Sequence, residues 1–142
     1  MLRLLNHRLR TIEAKIEKTE GPIKIGAINS TGSPVDMSFR DSANGKSIVV
    51  VDYQYVVKYG IEGETDKQLA NVKIEGELLF EADNEESADM KKKWESKKPI
   101  KDEHFLLILQ SLLNMAQVEA ILIAKQMSLP IPVQLSKVEK SE

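Results

Sequence analysis

The chain has 142 residues and a net charge of −2, with Lys+Arg 20 against Asp+Glu 22. That length suits one domain able to bury enough surface to fold alone, and the charge balance lacks the basic excess of a nucleic-acid or membrane-surface binder. Hydrophobic residues at 42% place it among globular chains, and the absence of cysteine excludes disulfides, thiolate zinc sites and cysteine nucleophiles.

In Met1–Arg10 the apolar residues are interrupted by Arg3, Asn6, His7 and Arg8, so no secretory apolar core forms and the cytoplasm is the expected compartment. Residues 1–18 carry two patterns. Leu2, Leu5, Leu9, Ile12 and Ile16 fall at helical spacing, whereas Ile12, Ala14 and Ile16 also alternate with Glu13, Lys15 and Glu17 as a strand would. Periodicity leans towards helix. Gly21-Pro22 breaks the segment, Ile23 and Ile25 suggest a short strand, and Ser30-Thr31-Gly32-Ser33-Pro34 reads as a loop. Val35, Met37 and Phe39 then alternate with polar residues as another short strand. Asn44-Gly45 is a strong hairpin signal, because both central residues of a type I′ turn need positive φ.

The next two segments are the most regular. Val49, Val51, Tyr53, Tyr55, Val57 and Tyr59 share one face of a strand whose other face carries Asp52, Gln54 and Lys58. Ala70, Val72, Ile74, Gly76, Leu78, Phe80 and Ala82 alternate in the same way with Asn71, Lys73, Glu75, Glu77 and Glu81. Both patterns have period two with one polar face, as in an antiparallel sheet solvated on one side. The polar linker from Gly60 to Lys67 joins them, and a sheet of about four strands results.

Residues 83–98 are highly charged, with Met90 and Trp94 one turn apart, and predict a short helix or a mobile excursion. Asp102 is the expected N-cap of a long helix from Glu103 to about Met127. Within it Gln110, Asn114 and Gln117 form one narrow polar stripe, and nearly everything else is apolar. Glu119 and Lys125 argue against a membrane span, since each charge at bilayer depth costs about 2.5–3.5 kcal/mol. A helix covering one face of a sheet needs an apolar stripe of only roughly 100°. The excess width implies either an oligomer interface or an apolar ligand groove. Pro130 and Pro132 stop the helix, and residues 136–142 read as a disordered tail.

No chemical constellation stands out. His7 and His104 are far apart in sequence, and His104, in the first turn of a helix, reads as solvated or capping. No glycine-rich loop links a strand to a helix. Glu75, Glu77 and Glu81 read as a solvated strand face, and the Tyr53, Tyr55, Tyr59 stripe as sheet-to-helix core more readily than as a ligand platform. The expectation is a binding protein with no cofactor and no metal, rather than an enzyme.

The segments "IVVVDYQYVVKYG", "LANVKIEGELLFEAD" and "MSLPIPVQL", taken in order with the charged excursion and the apolar helix between the last two, resemble the SecB family of export chaperones over roughly residues 46–135. The likeness rests on architecture. The family's Cys-Pro-Asn and Phe-Pro-Tyr-Ala-Arg segments have no match where this chain reads "ILQSLLNMAQVEA", so the resemblance is to a divergent, SecB-like member. It implies an α+β fold in which the long helix packs on the sheet and at an oligomer interface, and it makes residues 7–18 the first strand against their helical periodicity. It also implies a homo-oligomer, dimer or dimer of dimers, acting without ATP as a holdase for unfolded polypeptides. A translocation ATPase or a toxin–antitoxin system would be the further partner. Under that reading Tyr53, Tyr55, Leu78 and Phe80 are expected to be outward-available and to line the client groove. Leu109, Leu112, Leu113, Ala116, Ala120 and Ile123 are expected at the oligomer interface, and Glu75, Glu77 and Glu81 as an acidic rim favouring basic clients. The alternatives are an interaction subunit of a larger complex and a small-molecule-binding domain.

Overall fold

The computed structural model describes residues 1–19, 21–42 and 44–132. Four strands, β1 (Arg3–Ile16), β2 (Ile25–Asp41), β3 (Lys46–Ile61) and β4 (Glu64–Asp83), are followed by helices α1 (Asn84–Glu95) and α2 (Asp102–Gln126). The sheet is antiparallel in the order β1-β4-β3-β2, so β2, β3 and β4 form a meander and β1 and β2 lie on opposite edges. The fold is α+β, with the long C-terminal helix packed on the sheet.

The central pair obeys its pattern throughout. Val49, Val51, Tyr53, Tyr55, Val57 and Tyr59 of β3 pack beside Val72, Ile74, Leu78 and Phe80 of β4, all at most 1% exposed. Asn44 and Gly45 take the positive φ values, 66° and 73°, that the β2–β3 turn demands. Gly76 is required by close approach: a Cβ there would lie 2.6 Å from both the Tyr53 hydroxyl and the Arg8 carbonyl oxygen.

The edge strands depart from simple alternation. β1 is a strand, against the helical lean of its periodicity, because two register shifts break its alternation. Leu4, His7, Leu9 and Ile12 pair with Phe80, Leu78, Gly76 and Ile74 on the helix-facing side, so inward residues are spaced by three, two and three. Bulges at Leu5 and Arg10 thus imitate a helical spacing. β2 merges both short strand expectations and runs straight through the residues 30–34 read as a loop. Pro34 is tolerated because it lies on an edge strand, next to a bulge. Gly32 suits the place where the helix crosses, since a Cβ there would come 2.7 Å from Leu112 Cδ2. A bulge at Val35 leaves that residue 50% exposed, while Met37 is buried.

Helix α1 opens with a capping box between Asp83 and Glu86 and buries Ser87 and Met90. The N-cap of α2 is Lys101, so Asp102 is the first helical residue rather than the cap. Along α2 the buried line is His104, Ile108, Leu112, Ala116, Ala120 and Ala124, one residue in four, joined by Ser111 and Ile123. Its alanines let the helix approach a sheet face crowded with tyrosine rings. Beyond α2, Tyr59 Oη donates to the Pro130 carbonyl at 2.9 Å and Ser30 Oγ to that of Pro132 at 3.3 Å, tying the exit segment to β2 and β3. The expected tail, 136–142, lies outside the described residues.

Candidate functional site: an apolar groove between the sheet edge and the helix junction

Helix α1 ends in a Schellman motif: Lys97 is left-handed at φ 57°, the Lys97 N–H bonds Trp94 O at 3.1 Å, and the Lys98 N–H bonds Lys93 O at 2.8 Å. The chain then turns through Pro99 and Ile100 into α2. This reversal holds Trp94, Pro99 and Ile100 opposite Phe105, Leu106 and Leu109 on the first turns of α2. Gly32, Ser33 and Pro34 of β2 close the third side, and the walls, with Lys98 and Asp102, enclose a groove of about 700 Å³. Phe105 keeps 38% of its surface exposed there.

A polar clasp ties the two helices together beneath this junction. His104 is 4% exposed, and its Nε2 lies 3.1 Å from Glu86 Oε2 of α1. The solvated or capping role expected for His104 is therefore corrected: it is a buried bridge. Burial by itself would raise the Glu86 carboxyl, but hydrogen bonds from the Met1 amine and His104 outweigh it and leave that group below its ordinary value. At the start of α1 the Lys46 ammonium donates to Asp83 and, with the Met1 amine, holds that carboxyl well below the usual range.

The residues nominated from sequence fall elsewhere. Tyr53, Tyr55, Leu78 and Phe80 are at most 1% exposed, so the expectation that they are outward-available is corrected. They point at α2 and form the sheet-to-helix core, and none lines the groove. Burial pushes the Tyr53 phenol up to about 12, with the Glu119 carboxylate adding to the shift. Of the expected interface set, Leu112, Ala116, Ala120 and Ile123 are buried against the chain's own sheet, where an intramolecular partner already occupies them. Leu113 is partly buried, and Leu109 lines the groove. Apart from Phe105 in the groove, the exposed large apolar side chains of α2 are Val118 and Leu122, one turn apart at 55% and 50% exposure. On β1, Ile12 and Ile16 lie on the helix-facing side yet remain 45% and 40% exposed.

The acidic trio is also misplaced as a groove rim. Glu75, Glu77 and Glu81 alternate with the buried residues of β4 and so occupy the opposite face of the sheet. There they sit within ion-pair distance of Lys73, Arg8 and Arg3. Among the described residues no group of three His, Cys, Asp or Glu side chains is placed to hold a metal ion.

Sequence reasoning missed Trp94, Pro99, Ile100, Phe105 and Leu106 as groove residues. The available signal was the apolar pair Pro99-Ile100 inside a lysine-rich stretch, with Trp94 before it and Phe105 after it.

Neither a protein-family model nor a curated protein sequence matches the chain. Among solved structures it is similar to the Mycobacterium tuberculosis SecB-like chaperone Rv1957, determined in complex with a ChAD peptide from the Rv1956 HigA1 antitoxin. The match covers 99% of this chain and 93% of that one at a TM-score of 0.63, with 13% sequence identity. At that identity the likeness is one of fold: the chain has the fold of a SecB-like chaperone.

Proposed function

We propose that this protein is a SecB-like holdase, which takes apolar segments of non-native polypeptides into the groove between β2 and the α1–α2 junction without using ATP. The observation that carries the proposal is the groove itself, about 700 Å³ with walls of Trp94, Pro34, Ile100, Phe105, Leu106 and Leu109. Binding of this kind needs no reacting group. It rests on apolar area removed from water, at about 25 cal/mol per Å² before ordering costs are subtracted. The fold shared with a chaperone that holds an antitoxin peptide supports a polypeptide ligand, and an antitoxin or an export client would both qualify. Work in the cytoplasm as a homo-oligomer belongs to the same proposal, with Val118, Leu122, Ile12 and Ile16 as the surface a second copy would cover. Each of these four side chains keeps at least 40% of its surface exposed, which leaves apolar area for such a partner to bury.

Trp94 supplies the test, because it is the only tryptophan in the chain and it lines the groove. Titration with a permanently unfolded polypeptide should shift Trp94 emission and suppress aggregation of that client at stoichiometric ratios, with no nucleotide added. Light scattering should give at least twice 16.0 kDa before loading, and that mass plus the client's after it. Emission that is blind to unfolded chains, together with unchecked aggregation, would defeat the proposal.

A further inference from the structure

The groove sits beside the most basic stretch of the chain. Residues 91–103 contain six lysines against three carboxylates, Glu95, Asp102 and Glu103, and so carry +3 in a chain whose total is −2. Lys98 is part of the groove wall. Lys91 lies one helical turn before Trp94, on the same side of α1. Lys97, Lys98 and Lys91 are exposed, and none lies within ion-pair distance of a carboxylate among the described residues, whereas Lys93 pairs with Asp89 at 3.1 Å. The acidic face of the sheet that might offset this field is turned away and is already paired with arginines and lysine.

We infer that the groove selects apolar segments flanked by aspartate or glutamate, the opposite of the preference that the sequence-level placement of Glu75, Glu77 and Glu81 suggested. This rests on the groove being a polypeptide site and adds its charge selectivity. The apolar walls accept aromatic and aliphatic side chains, and the lysines at the mouth meet the charges on either side of them. Such pairs are solvent-exposed, so each adds little by itself. Two or three together amount to about a tenfold preference, expressed partly in the association rate and weakened by salt.

The test uses the full chain and three synthetic peptides that share one aromatic–aliphatic core and are flanked by glutamates, serines or lysines, with Trp94 emission as the readout. The glutamate-flanked peptide should bind about tenfold tighter than the lysine-flanked one at low salt, with the serine peptide between them and the gap closing at high salt. Combining Lys91→Glu with Lys98→Glu should invert the order. Reversing the same charge on the far face of the sheet, by Lys15→Glu with Lys58→Glu, should leave the order as it was. Equal affinity for all three peptides, or tighter binding of the lysine-flanked one, overturns the inference while leaving the groove as a polypeptide site. Failure of all three to bind removes the groove reading and this inference with it.

Discussion

Two sets of aromatic residues in this molecule do different work, although both lie close to α2. Tyr53 and Tyr55 stand on a central strand beneath the middle of the helix and are at most 1% exposed. Trp94 and Phe105 stand at the facing ends of α1 and α2, where the chain reverses, and Phe105 keeps 38% of its surface. The difference lies in cover rather than residue type. A side chain on an inner strand has neighbours on both sides and a helix above, so it becomes core. A side chain at a helix end has cover on one side only, and it is available to a ligand.

That contrast can be broken most severely from the core side. Leu112→Ala removes a fully buried side chain from the α2–sheet contact and should cost about 2–5 kcal/mol, read as a lowered urea midpoint. If Leu112→Ala were nearly neutral, α2 would not be the cover of the sheet. Gly76→Ala places a Cβ 2.6 Å from the Arg8 carbonyl, a backbone atom of the neighbouring strand, and should cost about 1–3 kcal/mol by the same measurement.

Tyr53 sharpens the comparison through pH. Its phenol is raised to about 12, so the folded state favours the neutral form. The stability this reflects is fully present below the ordinary tyrosine value of about 10 and is lost as pH rises towards the folded value. Absorbance near the tyrosinate band should lose a late-titrating component in Tyr53→Phe, while Tyr59, which burial also raises, keeps its own. Asp83 runs the other way. Its carboxyl is lowered by Lys46 and the Met1 amine, so its contribution is present above the ordinary aspartate range and declines as the solution is acidified below about pH 4. The urea midpoint of wild type should therefore fall more steeply with acid than that of Asp83→Asn.

The smallest stability effect is expected at the groove. Phe105→Ala should cost less than about 1 kcal/mol of folding stability, because much of the ring is already in water, yet it should weaken peptide binding severalfold. A large stability loss with unchanged binding would move Phe105 into the core set and dissolve the distinction.

How legible each part was follows from the same physics. β3 and β4 could be read residue by residue because each is paired on both sides and buried on one face, which enforces strict alternation. β1 could not, because bulges at Leu5 and Arg10 reset its phase and made inward residues recur at near-helical intervals. β2 was cut in two by Gly32 and Pro34, residues that signal a loop but are tolerated on an edge strand. The groove was legible only in outline. The excess apolar width of α2 announced uncovered surface, but of the residues chosen for it on the helix only Leu109 lines the groove and four belong to the core face, since periodicity cannot say which apolar side meets the chain's own sheet.

By itself, then, the sequence determined the α+β class, the two central strands, the turn at Asn44-Gly45 that leads into the first of them, and a long helix with more apolar surface than one sheet face can cover. These follow from local periodicity, turn chemistry and area. Only the tertiary structure decided which apolar residues were left over. The path of β2 along the sheet edge and the reversal after Lys97 bring Gly32–Pro34, Trp94 and Phe105 together from distant parts of the chain. The lysines around Trp94 gain their significance in the same way, because the groove opens where they cluster and the carboxylates of β4 face away.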